Sequence, residues 1–145
     1  MTGFVLDNSV AMRWHLASDK AADQQYAESV LASLTLVDAL VPNLWHLEAA
    51  NVLCNAEKSG STSIGEVERF IAQLESLPIH VDPLTAHQSF NRILALSRAY
   101  NLSSYDAAYL ELSIREGLPL ATLDKALIRA AQKADVSLYL VAFTA

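Results

Sequence analysis

Short apolar runs recur along this chain, each too brief for a helix and each but the last followed by a longer helix-forming stretch. Phe4-Val5-Leu6, Ala39-Leu40-Val41, Ile79-His80-Val81, Leu120-Ala121-Thr122 and Leu138-Tyr139-Leu140-Val141 read as strands. Helices are predicted from Asp7-Asn8-Ser9 to Trp14, then over Lys20–Leu34, Leu44–Ser59, Ser63–Leu77, Thr85–Tyr100, Ser103–Gly117 and Asp124–Ala134. Their boundaries carry local signals: Ser63 with Glu66 forms a capping box, and Gly60 and Pro78 act as stops. Strand–helix alternation of this kind builds βαβ units, so the expectation is an α/β fold whose short, mostly parallel sheet is flanked by helices. With 145 residues, no internal repeat and no linker-like stretch, a single domain over residues 1–145 is expected.

Composition narrows the function classes. A chain that is 52% hydrophobic and 18% charged is not disordered. The single Cys54 excludes an intramolecular disulfide and a cysteine-based zinc cluster, which favours a cytoplasmic setting. The amino terminus offers a three-residue apolar run before Asp7, so no signal peptide is expected, and no run approaches the roughly 20 apolar residues of a membrane span. Ten basic against sixteen acidic residues leave a net charge of −6, which gives no long-range pull toward nucleic acid.

The acids themselves are more informative than their sum. In open parallel sheets, ligands sit beyond the carboxyl ends of the strands. Asp7 follows the first apolar run and Asp124 follows Leu120–Leu123. If those strands are parallel neighbours, both carboxylates reach one crevice. Asp106 falls in the first turn of its helix, and Glu48 sits mid-helix on a stripe with Leu44, Leu47 and Val52. Each has a plainer reading. Asp7 and Asp124 would serve as helix caps, Asp106 would complement a helix dipole, and Glu48 would need a partner for a buried charge. Carboxylates that converged would repel one another, a cost that a hard divalent cation offsets.

The segments VLDNSV, VPNLWHLEAANVL, LSSYDAAYLELS and LPLATLDKAL, in this order and spacing, resemble PIN-domain ribonucleases, and among them the VapC-type toxins of bacterial toxin–antitoxin pairs. The resemblance spans essentially the whole chain. It implies that Asp7, Glu48, Asp106 and Asp124 form a catalytic acid set, with Ser9, Asn51 and Thr122 in supporting positions. Asp7 and Asp106 are then expected to ligate Mg²⁺ directly, with Mn²⁺ as a substitute. Glu48 and Asp124 are expected to act on a second ion or through water. The implied reaction is hydrolysis of single-stranded or looped RNA by metal-activated water, leaving 5′-phosphate and 3′-hydroxyl ends. The implied partners are the RNA, a cognate antitoxin and a second toxin copy, with no membrane. For the antitoxin, the segment from Val10 to Leu36 offers Trp14, Leu16, Val30, Leu31 and Leu34 as groove residues.

Other polar and aromatic residues read more plainly. His15, His46, His80 and His87 show no metal-ligand spacing, and Cys54 reads as a small packing residue. Trp14 and Trp45 read as packing residues rather than base-stacking platforms, and Lys125, Arg129 and Arg13 as solvated charges. A phosphatase with a nucleophilic Asp7 is disfavoured because Ser9 stands where that chemistry needs a second acid. The remaining alternative is a catalytically silent PIN-like module for protein binding or assembly. The acid site also changes what −6 means, since about four of those charges would be offset by metal. The acidic balance then predicts RNA binding that is weak without metal.

Overall fold

A computed structural model describes residues 2–141 of the chain. Strands β1 (Thr2–Leu6), β2 (Asp38–Val41), β3 (Ile79–Val81) and β4 (Leu120–Ala121) form one sheet in the order β3-β2-β1-β4, with every pairing parallel. Phe4, Val5 and Leu6 are fully buried, as an unbroken apolar run requires when helices cover both faces of its strand. The β1–β2 register shifts between Thr2 and Phe4, and Gly3 sits at that irregularity. A Cβ there would lie 2.8 Å from the Cβ of Val37, so only glycine lets the two backbones approach.

The helices are α1 (Asn8–Ala11), continued by a 3₁₀ turn over Met12–Trp14, then α2 (Ala21–Ser33), α3 (Trp45–Lys58), α4 (Ile64–Glu75), α5 (Thr85–Gln88), α6 (Leu94–Tyr100), α7 (Ser104–Glu116) and α8 (Lys125–Lys133). The Ser63 hydroxyl accepts from the Glu66 N–H and donates to its carboxylate, so the expected Ser63–Glu66 pair caps α4, with the carboxylate on the Ser63 hydroxyl and not on its backbone N–H. Among the described residues no helix is long and apolar enough to cross a membrane.

Two expected elements differ. The helix predicted over Thr85–Tyr100 is interrupted by a π turn at Ser89–Ile93. There the Ser89 hydroxyl donates to the Thr85 carbonyl, and the wider turn buries Ile93 while Phe90 stays 91% exposed. The strand predicted at Leu138–Val141 is a single bridge from Leu138 to Leu120. Beyond it Leu140 turns into the left-handed region at φ 58°, which ends any ladder. Side-chain packing holds this segment instead. The Tyr139 ring stacks on Phe4 at 4.0 Å, and its carbonyl accepts from the Tyr26 hydroxyl at 2.8 Å.

The core joins β1 and β4 to α1, α2, α7 and α8 through Val10, Met12, Val30, Tyr109, Leu110 and Leu127. Val30 and Leu34 are core residues, so they are not part of a surface groove; Trp14, Leu16 and Leu31 are half-buried. Trp14 donates its indole N–H to the Ala27 carbonyl at 2.7 Å, and Trp45 is buried, so both tryptophans pack. Cys54 is exposed and does not pack, contrary to expectation. Behind β3, the Arg115 guanidinium at the end of α7 binds Asp82 through both terminal nitrogens and Glu111 through Nε. This ion cluster ties the edge strand to α7.

Candidate active site

Because β1 and β4 are adjacent and parallel, with Leu6 opposite Ala121, the residues that follow them leave the sheet side by side. Asp7 is the residue after β1 and Thr122 the residue after β4. The Asp7 N–H donates to the Ala121 carbonyl at 2.9 Å, which extends the ladder by one step and fixes the Asp7 backbone. Asp7 stands at the amino end of α1 but its side chain does not cap that helix. Its Oδ2 accepts instead from the Ser9 hydroxyl at 2.6 Å and the Thr122 hydroxyl at 2.7 Å. Ser9 also accepts from the Leu123 N–H at 2.9 Å, so one hydroxyl clamps both strand ends. The capping alternative is thereby removed for Asp7, and Ser9 and Thr122 both touch this carboxylate.

Asp124 does cap α8: its Oδ1 accepts from the Leu127 N–H at 2.9 Å. Asp106 lies in the first turn of α7, whose cap is the Ser103 hydroxyl. Glu48 enters from α3, and its Oε1 accepts a short hydrogen bond from the hydroxyl of Tyr109 on α7. Its flank is less apolar than the sequence stripe suggests, because Leu47 is 76% exposed and the core side of α3 is Trp45, Ala49 and Leu53. Asn51 is exposed on α3 and contacts none of these acids through a hydrogen bond among the described residues.

The acids are close enough for their charges to act on one another. Burial pushes the Asp7 carboxyl up, against the lowering effect of the Ser9 and Thr122 hydroxyls, and the Asp124 charge pushes it further. Burial also raises Glu48, opposed by the Tyr109 hydrogen bond and reinforced by Asp7 and Asp106. Asp106 is pushed up to about 6 by burial and by the charges of Asp124 and Asp7. One mutually repelling group therefore draws on the ends of β1 and β4 and on α3 and α7.

An all-oxygen carboxylate set under mutual repulsion fits a hard divalent cation. Among the described residues no group of three or more His, Cys, Asp or Glu side chains is placed to hold a metal ion. Mg²⁺ does not ask for such a group, since it usually keeps several waters and takes one or two carboxylates.

These raised acids set a stability profile for the metal-free protein. An acid whose folded pKa exceeds its unfolded value binds its proton more tightly when folded, so stability falls as pH rises between the two values. For Asp106 that window runs from about 4 to about 6. In chelator, the thermal midpoint of wild type minus that of Asp106→Asn should therefore drop on going from pH 4 to pH 7. Mg²⁺ or Mn²⁺ at pH 7 should raise the wild-type midpoint by binding the folded state alone. A difference that is flat or rises with pH in calorimetry would remove Asp106 from the repelling group.

Sequence reading passed over Tyr109, which lies one turn beyond Asp106 in the S-x-x-D-A-x-Y segment and is fully buried between α3 and α7. It also passed over Asp82 at the carboxyl end of β3, an acid that Arg115 neutralises away from the cluster.

A family model described as the PIN domain matches residues 4–133. Among solved structures, the crystal structure of PAE2754 from Pyrobaculum aerophilum is similar at 20% identity and a TM-score of 0.65, covering 89% of this chain and 79% of that one. A chain from a toxin–antitoxin complex of Klebsiella pneumoniae is similar at 16% identity and a TM-score of 0.59, covering 84% of this chain and 87% of its own. At these identities the likeness is one of fold. No curated protein matches the sequence.

Proposed function

The chain belongs to the PIN domain family, and from that premise we propose that it is a Mg²⁺-dependent endoribonuclease acting as the toxin of a toxin–antitoxin pair. Members of this family are typically metal-dependent nucleases. The observation that carries the reading is the buried Asp7 at the carboxyl edge of the sheet, its Oδ2 held by the Ser9 and Thr122 hydroxyls, with Asp124 brought beside it by an N–H that donates to the same Thr122 hydroxyl. Three of the candidate acids commit one oxygen to a hydrogen bond within the protein: Asp7 Oδ2, Glu48 Oε1 and Asp124 Oδ1. Their second oxygens remain for ligands. Asp7 and Asp106 are assigned as direct ligands, and Glu48 and Asp124 as acids that bind a second ion or orient water. When bound, the divalent cation lowers the pKa of water and offsets charge on the phosphate. Ser9 and Thr122 hold Asp7 in one orientation. In-line attack of water on phosphorus breaks the bond to O3′, leaving a 3′-hydroxyl and a 5′-phosphate.

The partner assignments have their own support. Trp14 and Leu31 line a cavity of about 250 Å³ with Phe70, Leu74 and Leu77, a surface suited to an antitoxin segment. One structural neighbour is a toxin–antitoxin complex. For a second toxin copy, exposed Leu47, Phe90 and Tyr105 line one side of another cavity of about 540 Å³.

The test is cleavage of single-stranded and looped RNA by purified protein. Cleavage is expected with Mg²⁺ or Mn²⁺, none in chelator, and about 100-fold less or lower in Asp106→Asn. Cleavage that persists in chelator would sink the metal–carboxylate mechanism. A wild-type protein that cleaves no RNA with any divalent ion would leave the silent binding module as the better reading.

A further inference from the structure

Tyr109 is the residue that the site contains and the acid set does not account for. Its ring is fully buried on α7, one turn from Asp106. Its hydroxyl donates to Glu48 Oε1 across a separation of 61 residues, so a core side chain reaches from α7 to an acid on α3. The charges of Asp7 and Glu48 both act on this hydroxyl. A phenol is protonated at neutral pH, so its one O–H is the donor in this contact and Glu48 Oε1 the acceptor. A phenylalanine would fill the same space, so packing alone does not call for this hydroxyl.

We propose that Tyr109 is a positioning residue: by holding one carboxylate oxygen of Glu48 it fixes that side chain so that the other oxygen serves the divalent-cation site. The inference rests on the nuclease reading and deepens it. Glu48 is half-exposed on a surface helix and is repelled by Asp7 and Asp106, so without an anchor its long side chain would swing toward solvent. The Tyr109 hydroxyl opposes both the repulsion and the loss of order. Outer hydrogen-bond partners of metal ligands commonly set 10–100-fold in metal affinity.

The experiment is a calorimetric titration of Mn²⁺ into full-length wild type, Tyr109→Phe, Glu48→Gln and the double variant, with thermal unfolding in chelator as the folding control. Tyr109→Phe should weaken Mn²⁺ binding about 10-fold. In the Glu48→Gln background the same substitution should change it no further, because residues acting through one group are non-additive. Wild-type affinity in Tyr109→Phe would overturn the proposal, and so would an undiminished 10-fold loss in the Glu48→Gln background. A wild-type protein that binds no Mn²⁺ would overturn the nuclease reading itself. The two failures are therefore distinguishable.

Discussion

Asp7→Asn should lower RNA cleavage by about three orders of magnitude and leave the metal-free protein at least as stable as wild type. The size of the loss follows from the role: a ligand that helps neutralise a developing phosphate charge carries several kcal/mol of transition-state stabilisation. Stability should not fall, for a separate reason. Asp7 is buried, it is repelled by Asp124, and its carboxyl is pushed up, so the charged form is what the fold tolerates least. Asparagine has nearly the same shape, and its carbonyl oxygen still accepts from Ser9 and Thr122, whose hydroxyls lie 2.6 and 2.7 Å from Oδ2. Single-turnover cleavage and thermal unfolding in chelator measure the two effects. Lost activity together with a lower midpoint would make Asp7 a structural residue, and full activity would remove it from the site.

Arg115→Met should destabilise the protein by about 3–5 kcal/mol. Arg115 holds Asp82 with bonds of 3.0 and 2.8 Å and Glu111 with bonds of 2.9 and 3.1 Å. Asp82 is 3% exposed and Glu111 is 2% exposed. Removing the guanidinium leaves two carboxylates without a counter-charge in a dry environment, which is the costly way to break a buried pair. For a chain of this size the midpoint should fall by roughly 10 °C. Adding Asp82→Asn and Glu111→Gln to the same protein should recover much of the loss, because the uncompensated charge is what costs. Denaturant unfolding of the single and triple variants reads both effects. A single variant as stable as wild type would show that the cluster contributes no net stability.

Local signals were enough to read the architecture from sequence. Apolar runs of three residues, capping hydroxyls and stop residues are each decided within a few positions, and β1 to β4 lie where those signals put them. The carboxyl-edge position of Asp7 and Asp124 also followed, since it depends only on where a strand ends. The misreadings come from tertiary choices. At Leu138–Val141 the apolar composition of a strand is used for stacking on Phe4, and a left-handed Leu140 closes it. Within Thr85–Tyr100 the helical spacing is real, but the wider turn at Ser89 lets Ile93 reach the core. Asp7 is not misread: it stands at the cap position, but its carboxylate is turned to Ser9 and Thr122, so only the plainer alternative falls. Pairings such as Tyr109 with Glu48 and Arg115 with Asp82 join residues 61 and 33 positions apart, and no local spacing exposes them.

The order in which the chain is made gives the sheet topology a further meaning. Central strand β1 is made before its neighbour β4, with β2, β3 and helices α1 to α7 between them in the chain. The clamp that fixes Asp7 depends on Thr122 and on the Leu123 N–H, 115 and 116 positions downstream. A nascent chain that already displays Asp7 and Ser9 therefore lacks this clamp until Thr122 and Leu123 have been made and β4 has docked beside β1. Long-range pairing of this kind is a slow, late event in folding.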